Sequence, residues 1–184
     1  MARSRTLLVI DIQRDYFPGG AYPLVEPEAA AEAARQVLDG FRDGGDPVIH
    51  MKHVWDAPDA EFMRPGTEGI EIHPAVAPAE GELVLEKTSP NSFLETGLED
   101  QLRKRGAEDL VVAGMMSSMC VDATVRAAAD LGFPPTVVHD ACAAPDLEFN
   151  GVEVPGAAVH AAFMAALADS YAELASAAEL LAAD

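Results

Sequence analysis

Asp109-Leu110-Val111-Val112-Ala113-Gly114-Met115-Met116-Ser117-Ser118-Met119-Cys120-Val121 is the stretch whose reading decides the architecture. Residues 109–113 form a short apolar run, the composition of a strand buried on both faces of a parallel sheet. Residues 121–131 then place Val121, Val125, Ala128 and Leu131 on one helical face, with Asp122, Arg126 and Asp130 at i, i+4 spacing on the other. Gly132 ends the run. Cys120 therefore falls where a strand has ended and a helix begins. Unpaired N–H groups and the helix dipole favour an anion there, so the position predicts an easily ionised thiol, the chemistry of a nucleophile. A buried structural cysteine is the competing reading.

The same alternation extends in both directions. Residues 6–10 read as a first strand, apolar on both faces and hence central, followed by a polar and aromatic loop over 11–20. Residues 27–42 read as a helix with Pro27 in its first turn and Gly44-Gly45 at its end. Residues 47–53 and 82–86 are further strands, 94–104 a helix, 136–139 a fifth strand, 159–168 a helix, 171–174 a short last strand and 177–182 a closing helical turn. Residues 54–81 have no period and carry Pro58, Pro65, Pro74 and Pro78 together with the only tryptophan, Trp55. A stretch of that length without regular structure points to a wall over a site. Alternating strands and helices predict an α/β fold, a three-layer α/β/α arrangement around a mostly parallel six-stranded sheet, in a single domain over residues 1–184.

Bulk properties narrow the function. A chain of 184 residues with 49% hydrophobic residues can bury a sizeable core. Its formal net charge of -19, from 12 Lys+Arg against 31 Asp+Glu, disfavours nucleic acid and anionic membranes as partners. No segment has the length and apolarity of a membrane span or a signal-peptide core, which predicts a cytoplasmic protein. Two cysteines, Cys120 and Cys142, make no disulfide framework, and no Cys/His cluster has zinc spacing. The glycines lack phosphate-loop or dinucleotide spacing. No metal and no cofactor is therefore expected, and Cys142 reads as a packed small residue. His139 is a minor candidate for the base of a Cys–His pair, and Asp140 for a brace on the following loop.

Ligands of open parallel sheets bind at the carboxyl ends of the strands. Three reactive side chains hold that position: Asp11 after the first strand, Lys87 after the third and Cys120 after the fourth. Cys120 as nucleophile needs a base, which Asp11 supplies; Lys87 offsets the negative charge on both.

These residues sit in segments that resemble the isochorismatase-like cysteine hydrolases, which include nicotinamidases and carbamoylsarcosine amidohydrolase. The matching segments are Leu8-Val9-Ile10-Asp11-Ile12-Gln13 with Phe17, then Glu86-Lys87 with Ser92-Phe93. Gly114 through Cys120-Val121 follows with Thr124, Arg126 and Ala127, and finally Asp140-Ala141-Cys142-Ala143. The resemblance implies a catalytic triad of Asp11, Lys87 and Cys120, a non-proline cis peptide at Met115-Met116, and an oxyanion hole from the backbone N–H groups of Met116 and Cys120. It also implies a pocket walled by Gln13, Phe17 and Trp55. Phe93 and Met116 are expected around that pocket as well, Met119 is a candidate to face substrate, and a homo-oligomer, dimer or tetramer, is expected, in which a neighbouring subunit is a candidate to complete the wall over 54–81. The substrate is then a small, neutral or cationic, partly apolar amide, carbamoyl compound or lactam, cleaved through a thioester.

Two departures from the family pattern shape the expectation. Nicotinamidases bind a metal through an Asp-x-His pair after the second strand plus a further histidine, and here those two positions hold His53 and Trp55. Near relatives often carry threonine and histidine where this chain has Ser117-Ser118. A catalytically silent family member that binds a small molecule or scaffolds an oligomer is the alternative, and an intact triad counts against it.

Overall fold

The computed structural model describes residues 4–183. Six strands form one sheet in the order β3-β2-β1-β4-β5-β8, every pairing parallel. They are β1 (Arg5–Ile10), β2 (Val48–His53), β3 (Leu83–Lys87), β4 (Asp109–Met115), β5 (Pro135–Ala143) and β8 (Glu173–Ala175). The helices are α1 (Pro27–Gly44), α2 (Leu98–Lys104), α3 (Asp122–Asp130), α4 (Gly156–Ser170) and α5 (Ala177–Ala182).

Apolarity on both faces of the central strands produces two cores. Leu7 and Val9 of β1 join Val111 and Ala113 of β4 in a core closed by Ala34, Val37, Leu38 and Phe41 of α1. Leu8, Ile10, Leu110 and Val112 face the other way and pack on Leu98 and Leu102 of α2, Val125 and Ala128 of α3, and Met164 and Leu167 of α4. This is the three-layer α/β/α arrangement. The strand order reverses direction between β1 and β4, which opens a crevice at their carboxyl ends. At that crevice the two strands come unusually close: a Cβ on Gly114 (φ 153) would collide with the backbone oxygen and side chain of Ile10.

Several boundaries differ from the sequence-based expectation, each for a local reason. The second large helix starts at Leu98 rather than at residue 94, because Glu95 (φ 58) and Gly97 (φ 74) take left-handed conformations that no helix interior accepts. The fifth strand runs to Ala143, because an irregularity opposite β4 lets it resume pairing, with Gly114 opposite Cys142 and Met115 opposite Ala143. A two-stranded antiparallel hairpin, β6 (Leu147–Phe149) and β7 (Val152–Val154), stands outside the main sheet and was not anticipated. Its turn is Asn150-Gly151, both at positive φ, the pair that two-residue hairpin turns favour.

The irregular segment 54–81 is strapped to the loop after β1. His73 N–H donates to the Ile12 carbonyl, Arg14 N–H to Glu71 and Asp15 N–H to Gly69. The buried Asp15 carboxylate accepts from Met63 N–H (2.6 Å) and Ala21 N–H (3.1 Å). The segment thus forms a wall over the crevice, held by these backbone bonds and by the Asp15 carboxylate, with one short 3-10 turn of its own at Pro74–Val76.

Candidate active site

Asp11, Lys87 and Cys120 converge at the crevice. Asp11 follows β1 in a left-handed conformation (φ 49) that turns the chain out of the sheet. Lys87 ends β3. Cys120 lies in a single π-helical turn, Ser117–Val121, between β4 and α3. Met116 precedes that turn, and the Met115–Met116 peptide is cis. Ser117 Oγ lies 2.9 Å from His160 Nδ1, so α4 holds the turn from outside. The loop after Lys87 is tied to α3, where Thr124 Oγ1 accepts from Ser92 N–H at 3.0 Å and pairs with Ser92 Oγ at 2.9 Å.

Lys87 Nζ is 2.7 Å from Asp11 Oδ2, with both side chains fully buried. The ammonium also reaches His53 Nδ1 (3.0 Å) and the carbonyls of Ser89 (3.0 Å) and Pro90 (3.4 Å), so its three donors are fully matched by acceptors. The Asp11 carboxylate thus has the ammonium as its ion-pair partner. The Cys120 sulfur, the Asp11 carboxylate and the His53 ring lie within 4.8 Å of one another. A buried carboxylate beside a thiol, held in place by a lysine, can receive the thiol's proton.

Charge follows from the burial. Desolvation raises the Asp11 carboxyl above its ordinary value, with Lys87 opposing, which makes it a stronger base than an exposed carboxylate. Burial, then the Asp11 carboxylate, pushes the Cys120 thiol well up. The expectation of an easily ionised thiol is thereby corrected. A helix start favours an anion, but a second negative charge in a dry site beside Asp11 costs more than the dipole returns. Burial and the Asp11 charge thus favour the protonated thiol, with Lys87 opposing. Burial lowers Lys87, and Asp11 and Cys120 outweigh that, leaving the ammonium charged.

A cavity of about 250 Å³ opens on Cys120, lined by Tyr16, His53, Trp55, Phe62, Thr88, Pro90, Met116, Met119 and Cys120. Of the residues expected around a pocket, Trp55 and Met116 line this cavity, as does Met119, half exposed. Three expected pocket residues stand elsewhere. Gln13 is fully buried, and its amide clamps the His53 backbone, donating to His53 O (2.9 Å) and accepting from His53 N–H (2.7 Å). Phe17 stacks on His73 at 3.8 Å, beside a separate cavity. Phe93 packs in the core against Phe133.

Tyr16, His53, Phe62, Thr88 and Pro90 were not anticipated as lining. Tyr16, His53, Thr88 and Pro90 follow or end β1, β2 or β3, so the strand-end rule that singled out Asp11, Lys87 and Cys120 also pointed to them. Phe62 comes from the irregular segment and had no such signal. His139 faces another cavity, with Cys142 and His160, and is no partner for Cys120. Cys142 is packed in the core, its thiol pushed up to about 12 by burial. The Asp140 carboxylate accepts from Ala177 N–H at 2.8 Å and so braces the start of α5.

The donor set does not suit the metal that the family's nicotinamidases use. His53 Nδ1 is occupied by Lys87, the Trp55 indole offers no lone pair, and His73 Nδ1 accepts from Ala75 N–H. Within the cluster of Asp11, His53 and Cys120 the cation is Lys87 itself. Activity is accordingly expected to survive exhaustive EDTA treatment, measured as turnover before and after dialysis; loss restored by zinc, manganese or iron would contradict this donor analysis.

His53 also carries a pH prediction. Burial, then Lys87, lowers its pKa to about 4, and burial lowers His50 as well. The native state thus binds fewer protons than the unfolded chain once pH falls below the ordinary histidine value of about 6.5, and stability drops from there down to about pH 4. Thermal melts across that window should fall toward acid, with a shallower slope in His53→Gln.

An isochorismatase domain model matches residues 5–179. The isochorismatase family protein YddQ of Bacillus subtilis (strain 168) is 51% identical over 166 residues, covering 90% of this chain and 92% of that one. A crystal structure described as an isochorismatase hydrolase from Oleispira antarctica superposes with TM-score 0.94 at 49% identity, over 99% of this chain and 98% of that one. Maleamate amidohydrolase of Pseudomonas putida (strain KT2440) is 34% identical, over 75% of this chain and 71% of its own length. By sequence and by fold, the chain belongs to the isochorismatase family and is a hydrolase of that family.

Proposed function

We propose that this hydrolase is cysteine-dependent and cleaves a C–N bond of a small amide, carbamoyl compound or lactam through a thioester intermediate. One observation carries the reading: the buried Asp11 carboxylate, ion-paired to Lys87, lies beside Cys120 where the cavity reaches the sulfur. In this reading Cys120 Sγ attacks the substrate carbonyl carbon as its proton passes to Asp11. The oxyanion is received by the backbone N–H groups of Met116 and Cys120. Asp11 then gives the proton to the departing nitrogen and the C–N bond breaks, leaving a thioester. Water, deprotonated by Asp11, attacks the thioester; the carboxylic acid leaves and the proton returns to sulfur. Lys87 stays charged throughout and offsets the anionic steps.

The chain acts as one domain in the cytoplasm, where a reduced thiol persists. Assembly into a dimer or tetramer belongs to the same reading, supported by the exposed Phe149 and Val152 of the hairpin. No helix among the described residues is long and apolar enough to cross a membrane.

The test is ammonia or amine release from a panel of small amides, combined with rapid-quench mass spectrometry of the protein. A transient acyl adduct on the peptide carrying Cys120 is expected; turnover without any such adduct at any quench time would remove the thioester. Trp55, which edges onto Phe62 in the wall (ring centroids 5.2 Å), gives a second handle. Trp55→Ala should raise KM roughly tenfold with little change in kcat, as loss of uniform apolar binding does. Equal falls in kcat and kcat/KM would place Trp55 in the chemistry instead.

A further inference from the structure

The residue at the end of β2 has a stricter assignment than a wall residue. His53 pairs across the parallel ladder with Lys87 on β3, which brings its ring to the ammonium. Lys87 can only donate, so the 3.0 Å contact requires a lone pair on His53 Nδ1, and a neutral ring then carries its proton on Nε2. Among the described residues nothing accepts from Nε2, and Nε2 is not among the sealed, unpartnered atoms. The cavity that His53 lines with Cys120 is where that N–H can find an acceptor.

The ring is held as well as polarised. The Gln13 amide makes two hydrogen bonds to the His53 backbone and a third, at 2.7 Å, to the Ile70 carbonyl. Gln13 is itself fully buried, so the clamp cannot swing away. This explains a glutamine at a position that does not touch the cavity.

We propose that His53 is a specificity-determining residue, whose Nε2–H binds a hydrogen-bond acceptor on the substrate next to the scissile amide while Nδ1 keeps Lys87 aimed at Asp11. This deepens the amide-hydrolase reading and rests on it. The ring is not a base, because its free lone pair is spent on Lys87. Nor is it a cation, because burial and Lys87 both oppose protonation. The site therefore selects neutral amides that carry an ether, carbonyl or aza acceptor beside the reacting carbonyl. It disfavours an ammonium at that point, which would meet an N–H and the Lys87 charge. This narrows the neutral-or-cationic expectation to neutral.

The experiment has two arms, both on the full chain. In the first, ring 15N spectra of histidine-labelled protein assign the His53 tautomer, with His53→Gln identifying the signal. A neutral ring protonated at Nε2 at pH 7 is expected; a proton on Nδ1, or an imidazolium, overturns the assignment whether or not any amide turns over. In the second, wild type and His53→Phe are compared on 2-methoxyacetamide and butanamide, which differ by one ether oxygen for a methylene. Wild type should prefer the ether by about ten- to a hundredfold in kcat/KM, since a donor left unpaired in a closed site costs that much. The preference should fall below about threefold in His53→Phe and return in His53→Gln, whose amide can both accept and donate. The ratio of substrates cancels any general damage to folding or to Lys87. Equal preference in wild type and His53→Phe sinks the specificity role while leaving the hydrolase reading intact. An Nε2–H signal in a protein that hydrolyses neither amide, nor any amide of the panel, refutes the hydrolase reading and with it the substrate role, but not the tautomer.

Discussion

Cys120→Ala is expected to leave a folded protein whose amide turnover has dropped by on the order of 10⁴-fold or more, the loss typical of removing a nucleophile. The sulfur is nearly fully buried, so truncation should cost roughly 1 kcal/mol and a few degrees in Tm, too little to explain the kinetic loss. Cys120→Ser should be almost as inactive. The cavity that accepts sulfur accepts oxygen, but a carboxylate is far too weak a base for an alcohol that keeps its proton up to much higher pH than a thiol. Steady-state rates with matched thermal melts decide the matter. A serine variant with a tenth or more of the wild-type rate would mean that the sulfur is not attacking, and the covalent mechanism would have to be given up.

The second large effect concerns Asp11 and Lys87. Their side chains are completely buried 2.7 Å apart, so each is the other's counterion. Lys87→Met should abolish turnover and destabilise the protein by up to about 3–5 kcal/mol, because it strands a carboxylate in the core unless that group takes a proton. Asp11→Leu should do the same by stranding the ammonium. The double variant Asp11→Leu/Lys87→Met removes both charges and should recover most of the lost stability in chemical denaturation while remaining inactive. That dissociation of stability from turnover is the signature of a pair kept for chemistry. If the double variant were as unstable as the singles, the pair would instead be structural; if either single variant turned over at a tenth of the wild-type rate, the proton path through Asp11 would be wrong.

How much of this was legible in the sequence varies with the range of the interaction. Asp11, Lys87 and Cys120 could be found because Asp11 directly follows one apolar strand, Lys87 ends another and Cys120 lies in the turn after a third, and parallel strands present such residues at one edge. Trp55 and Met116 were expected at the cavity from the family resemblance, Trp55 also from its place in the aperiodic stretch 54–81. Gln13 was misplaced because its neighbour Asp11 faces the site, and nothing local says that the next polar side chain turns back to clamp a backbone 40 positions away. Phe17 and Phe93 were misplaced because an aromatic side chain near a site has the same composition as one packed beneath it. The hairpin over Leu147–Val154 carried its signal in Asn150-Gly151 between alternating residues, and the sequence analysis did not use it.

Sequence by itself determined the alternating strands and helices, the apolar strands that must be covered on both faces, and the three reactive groups at strand ends, because these depend on local period and on the carboxyl-end rule of parallel sheets. Only tertiary structure decided the charge states and the partners. Whether Cys120 rests as thiol or thiolate depends on how dry the site is and on a carboxylate from another strand, terms that outweigh the helix start seen locally. The same holds for His53, whose tautomer is set by a lysine 34 positions away, brought into contact by the pairing of β2 with β3. Burial and long-range contacts have no trace in the local pattern, because both arise only when the sheet is assembled.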